Sequence, residues 1–476
     1  LTYVELGSMF PESGGMSRYA QYSHGPLLGF IAAWANWISL VTLVPMEAVA
    51  AVQYMSSWPW SWANWTKNFI KNGDITFEGI GVVFIFMLIF TMINFWSVKI
   101  MTHFTNLISI FKILLPTLTI VTLICSGFHE HNFGTNIHEF MPYGSRSIFE
   151  ATSVSGIIMS YDAFQTIINM GGELKNPRKN IVRGVLISML ITAAIYIMLQ
   201  VTFIGAVEPS MLAKVGWHGI DFTSPFADLA ILMGINWLVI LLYLDAFVSP
   251  FGTGVAFVAT ASRALAAMTH TCHLPKWLGR INQKYMIPRY AMATDLILAV
   301  ILVSLFRNWN LLATVITAST LIAYLTGPVT VMTLRKIRPD LARPFKPRYM
   351  PWLAPIAFVL TSLAIYWSMW PTTIQVILVI ALGLPIYFYY EIRYQHSDLK
   401  KQLHNCWWMI GYLIFMSFMS YIGSNGFGGQ NWIKYPFDFV VIIVVSLLFY
   451  YWGVKSGRDQ LDPYAEHIVQ NKNKQK

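Results

Sequence analysis

Residues 106–125 read NLISIFKILLPTLTIVTLIC, an oily run with one full charge, Lys112, inside it. A helix of this length crosses the ~30 Å hydrocarbon core of a bilayer. Its ammonium then sits in hydrocarbon or in something built to receive it. Snorkelling is no escape, because a side chain of about 6 Å at mid-span falls short of both interfaces.

The remaining sequence makes the bilayer the solvent. Of 476 residues, 56% are hydrophobic and 11% charged, where a soluble domain carries roughly a quarter charged residues. Apolar runs of about 18 residues or more recur from end to end. They are continuous rather than alternating, which excludes a β-barrel. Spans are expected at 27–55, 78–98, 104–126, 148–170, 183–207, 237–263, 289–306, 310–334, 351–370, 372–391, 405–422 and 437–454, with a short helix outside the membrane at 225–232. The chain is thus an all-α polytopic membrane protein.

Charge placement gives the orientation. The set of loops at 171–183, 263–289, 335–350 and 391–404, with Arg18, Lys99 and the tail, holds 25 Lys and Arg; the opposite set holds six. The positive-inside rule puts the crowded set, and the C-terminus, in the cytoplasm. This distribution accounts for the net charge of +10 without a nucleic-acid partner. Residues 1–10 read as the last turns of one more span, so parity places residue 1 inside the membrane and predicts a further helix before it.

Several chemistries are excluded. Cys125, Cys272 and Cys406 form no disulfide framework and show no metal spacing. The histidines, among them His129, His131, His138, His218, His270 and His273, lack helical ligand spacing, so no metal is expected. No paired catalytic groups and no Walker loop are present, so neither enzyme activity nor ATP-driven pumping is expected. No cofactor is called for.

Four loop motifs fall on the crowded side: ELGSMFPESGG (5–15), ELKNP (173–177), SRALAAMTHTCHLP (262–275) and RKIRPDLARPF (335–345). In this order they resemble the amino acid–polyamine–organocation permease superfamily, and the resemblance covers about residues 1–392. It implies a five-plus-five inverted-repeat core, extra C-terminal helices of the fourteen-helix type, and transport by alternating access. Residues 1–334 would be the core without its first span, 335–454 four additional helices, and 455–476 a polar cytoplasmic tail. The substrate would be an amino acid or amine, moved with protons and without sodium. Obligate exchange, and a receptor that binds without transporting, stay open as alternatives.

The resemblance also implies a site at mid-membrane, where two helices are broken. One is the absent first span. The other falls in SVSGIIMSYDAFQTIINMGG (153–172), where Met159, Ser160, Tyr161 and Asp162 would be unwound and their carbonyls would receive the substrate ammonium. Asp162 supports this reading by itself, since an acid at mid-bilayer costs about 2.5–3.5 kcal/mol on insertion scales. Phe257 would line the substrate space. Lys112 would occupy the place a sodium ion takes in relatives, hydrogen-bonded to Thr253. Glu47, a second intramembrane acid, is a candidate gating or proton site.

Overall fold

The structure, a computed structural model, describes residues 1–461 and 466, apart from 13, 97, 155, 221, 223, 270–273, 286 and 395–397; for 96, 98–105, 107, 154, 173 and 394 it describes the backbone alone. Ser155, His270, Cys272, His273, most of the 455–476 tail and the side chain of Glu173 therefore lie outside the described residues.

Helices dominate, as continuous apolar runs require when every backbone polar group must be satisfied internally. Among the described residues, eight are long and apolar enough to cross a membrane. Helices run at Pro26–Ser56, Phe77–Trp96, Val98–Ser126, Pro177–Ala206, Asn236–Met268, Arg289–Leu305, Trp309–Ile337, Met350–Tyr366, Leu399–Ile422 and Phe437–Lys455, close to the expected spans. The expected span 372–391 is divided into Thr372–Ala381 and Leu384–Tyr394, and the short helix outside the spans lies at Pro225–Leu232.

One expected span is interrupted more deeply. Gly144–Val154 is helical, a single tight turn follows at Met159–Tyr161, and helix resumes only at Phe164–Asn169. Gly156 explains the interruption: its φ of 77° is left-handed, a conformation that costs a residue with a Cβ about 1–2 kcal/mol. A Cβ there would also press on the Trp309 ring at 3.3 Å.

The Pro26–Ser56 helix is the buried axis, packed against Asn236–Met268 and Trp309–Ile337. Pro177–Ala206 lies at the periphery, with Ile187, Leu190, Ile191 and Ile197 exposed. Such exposure is costly in water and neutral against lipid tails.

Among the described residues five prolines fall inside helices, and besides Pro355 in Met350–Tyr366 these are Pro45, Pro116, Pro250 and Pro328, all in the longer helices. Each of these four lacks an N–H and so releases the carbonyl four residues earlier. Those carbonyls belong to Val41, Lys112, Ala246 and Tyr324. The loosened backbone thus coincides with the lysine of the opening stretch and, as shown next, with neighbours of two carboxylates.

Candidate functional site

The Lys112 ammonium donates a hydrogen bond to the Thr253 hydroxyl. That hydroxyl in turn donates to the Ser249 carbonyl at 3.2 Å, one turn back on its own helix. Thr253 is therefore oriented as an acceptor for the lysine. Two carboxylates act on the same ammonium: Glu47 from the Pro26–Ser56 helix and Asp245 from the Asn236–Met268 helix. Three helices so bring one basic and two acidic side chains into the same half-buried neighbourhood, with Lys112 and Thr253 as its hydrogen-bonded contact. Desolvated charges in a membrane protein persist when they answer one another.

The close approach of the two helices has a local cause. At Gly252, next to Thr253, a Cβ would lie 2.6 Å from Cγ2 of Ile108. Ile108 precedes Lys112 by four residues and so shares its helix face. A glycine opposite a branched side chain lets the helices close until lysine meets threonine.

The broken segment lies beside this cluster through Tyr196, whose ring packs edge-on to Tyr161 with centroids 5.5 Å apart. The Tyr196 hydroxyl donates to the Ser160 carbonyl at 3.4 Å, and Glu47 also acts electrostatically on Tyr196. Ser160 Oγ donates to the Ile157 carbonyl at 2.7 Å. Asp162 turns the other way. It is 2% exposed, accepts from the Tyr324 hydroxyl at 3.4 Å and faces Thr320. Met159 and Phe257 lie in apolar packing, Phe257 as a buried member of the cluster that Met159 packs against.

The expected residues thus fall into three groups. Lys112 and Thr253 are hydrogen-bonded, with Glu47 acting on the lysine through space; Ser160 and Tyr161 pack on Tyr196; Asp162 binds to the Trp309–Ile337 helix instead. Sequence reading missed a further acid, Asp295, whose Oδ1 accepts from the Trp37 indole at 2.8 Å. Asp295 is 4% exposed, and its other oxygen has no hydrogen-bond partner among the described residues. Its signal was available, because it is an acid inside an apolar span like Asp162. Both amide atoms of Asn36 and of Gln165 are similarly buried without partners among the described residues. Among the described residues, no three His, Cys, Asp or Glu side chains converge as metal ligands would.

Comparison with known proteins places the chain in a family. The glutamate/serine transporter AimA of Bacillus subtilis strain 168 is 49% identical over 457 residues, spanning 96% of this chain and 84% of that protein. The aspartate-proton symporter of the same organism is 33% identical over 462 residues, 96% of this chain and 87% of that protein. The branched-chain amino acid permease BcaP, also from that organism, is 24% identical over 417 residues, 84% of each chain. These relatives are transporters, not enzymes. The family model for amino acid permeases matches residues 1–386. That match runs through the lysine span, the broken segment and all four loop motifs, and the chain belongs to the amino acid permease family.

Proposed function

We propose that this permease takes up small amino acids across the cytoplasmic membrane by proton-coupled, sodium-independent alternating access, with its C-terminus in the cytoplasm. The observation that carries the reading is the Lys112–Thr253 hydrogen bond, with Glu47 and Asp245 acting on the same ammonium. A tethered ammonium supplies the positive charge that a bound sodium ion would otherwise bring. Unlike sodium it can hand a proton to a neighbouring carboxylate, and that exchange couples proton movement to the cycle. Glu47, on the buried Pro26–Ser56 helix, would be the acceptor.

The Met159–Asp162 segment would receive the substrate ammonium on its backbone carbonyls, and Phe257 would shape the space behind. Relatives named for glutamate and serine, and for aspartate, point to short acidic or hydroxylated amino acids. An acidic substrate suits a site with a fixed cation. The 25-to-6 division of basic residues supports the cytoplasmic C-terminus.

The test is uptake of radiolabelled glutamate, aspartate and serine into proteoliposomes, with choline replacing sodium. An inward proton gradient should drive accumulation without substrate inside. A strict requirement for sodium would sink the proton reading, and a strict requirement for internal amino acid would replace symport by exchange.

A further inference from the structure

The loops carrying the motifs at 5–15, 173–177 and 335–345 meet at a cleft of about 690 Å³. Its lining includes Pro11 from the first, Asn176, Arg178, Lys179 and Arg183 from the second, and Pro344 from the third. The three cations sit on the first two turns of Pro177–Ala206, where the helix dipole is already positive. Like charges gathered there repel one another and the dipole, so the arrangement calls for an anion.

The described protein does not provide one. None of the three side chains makes an ion pair or hydrogen bond with a described residue. The described carboxylates of the adjoining loops are engaged elsewhere. Glu5 is held by Arg335, and Glu12 by Arg18 and Tyr22. Asp340 is held by Arg338, whose hydrogen bonds keep its carboxyl below the usual carboxylate range.

The same helix indicates the kind of anion. Continuing from Arg183 at helical spacing, Ile187 is 55%, Leu190 72% and Ile197 61% exposed. A basic head therefore opens directly onto an oily stripe of the same helix face. That pairing matches a molecule with a negative head and a hydrocarbon tail.

We propose that the cleft binds the phosphate of an anionic phospholipid, its head among Arg178, Lys179 and Arg183 and an acyl chain along Ile187, Leu190 and Ile197. The bound head would touch loops on either side of the Glu5–Arg335 pair, joining lipid composition to the part of the fold that must move in transport.

The test uses the full chain in phosphatidylcholine nanodiscs with increasing phosphatidylglycerol, read by native mass spectrometry and melting temperature. Wild type should retain phosphatidylglycerol saturably and melt higher as its fraction rises. Lys179→Gln with Arg183→Gln should weaken retention about tenfold or more and leave melting in pure phosphatidylcholine unchanged. Lys179→Arg with Arg183→Lys, which keeps both charges and controls for folding, should retain the lipid. Equal retention by the neutral variant and wild type overturns the site. Millimolar inorganic phosphate in pure phosphatidylcholine distinguishes the source: stabilisation by phosphate with no added effect of phosphatidylglycerol overturns the lipid in favour of a soluble anion.

Discussion

Glu5 and Arg335 stand 330 residues apart in sequence and form a two-point ion pair. Arg335 Nε meets Oε1 at 2.8 Å and Nη2 meets Oε2 at 2.5 Å. Glu5 is fully buried, and a second guanidinium, Arg343, lies 3.5 Å from the same carboxylate. Arg335 also donates to the Pro347 carbonyl at 3.1 Å, which fixes the loop that follows its helix. The first and last motifs are thus one structural unit, a clamp between the short Thr2–Met9 helix, which carries Glu5, and the Trp309–Ile337 helix.

Glu5→Gln should be strongly destabilising. Removing one member of a buried pair strands the others and typically costs about 3–5 kcal/mol. Here two guanidinium groups would face an uncharged amide. Arg335→Lys keeps the charge but loses the fork, and should fall between wild type and Glu5→Gln in melting temperature. An unchanged melting temperature for Glu5→Gln would mean that the clamp contributes nothing to the resting fold.

Thr253→Val keeps the shape of the threonine and deletes its hydroxyl. A hydrogen bond to a charged group is worth about 1.5–3 kcal/mol, so uptake should fall roughly tenfold or more while the protein still inserts and purifies. Thr253→Ser should restore most of the rate. The check is initial uptake rate per amount of reconstituted protein; normal transport by Thr253→Val would separate this hydroxyl from coupling.

Much of this was legible in sequence for physical reasons that can be named. Hydrocarbon thickness forces long apolar runs, so the spans announce themselves, and Gly156 with its neighbouring serines marked the break. Lys112 and Asp162 stood out because charge is costly at that depth. Partnerships were harder. Thr253 was reached through family resemblance, whereas Tyr324 as the partner of Asp162, and Trp37 as that of Asp295, lie 162 and 258 residues away. Periodicity within one helix carries no information about which helix it will face. Asp245 was not among the expected site residues, because its action on Lys112 depends on how far the Asn236–Met268 helix rotates in packing.

Asp162 and Tyr324 offer a test of whether the break and the Trp309–Ile337 helix work together. If the hydrogen bond between them governs the substrate space, Asp162→Asn and Tyr324→Phe should each shift the KM or pH profile of uptake. Their combination should then deviate from additivity by about 0.5–3 kcal/mol, the range for residues in direct contact. Additive effects on uptake would show the two acting independently, and near-wild-type uptake by Asp162→Asn at every pH would confine the carboxylate to packing.

Gly252 sets the distance on which the lysine cluster depends. A Cβ added there meets Cγ2 of Ile108 at 2.6 Å and Cδ1 at 3.0 Å. Gly252→Ala therefore pushes apart the helices that bear Thr253 and Lys112, and overpacking of this kind costs about 1–3 kcal/mol. The loss should appear more strongly in uptake than in melting temperature, because a separation of a few tenths of an ångström weakens one charged hydrogen bond before it unpacks a helix. Ile108→Ala makes room on the facing side, so the double variant should recover uptake if spacing is the cause. Recovery of melting temperature without recovery of transport would assign Gly252 to packing alone. Recovery of both would show that closeness between two helices, set by one missing side chain, is what holds Lys112 on Thr253.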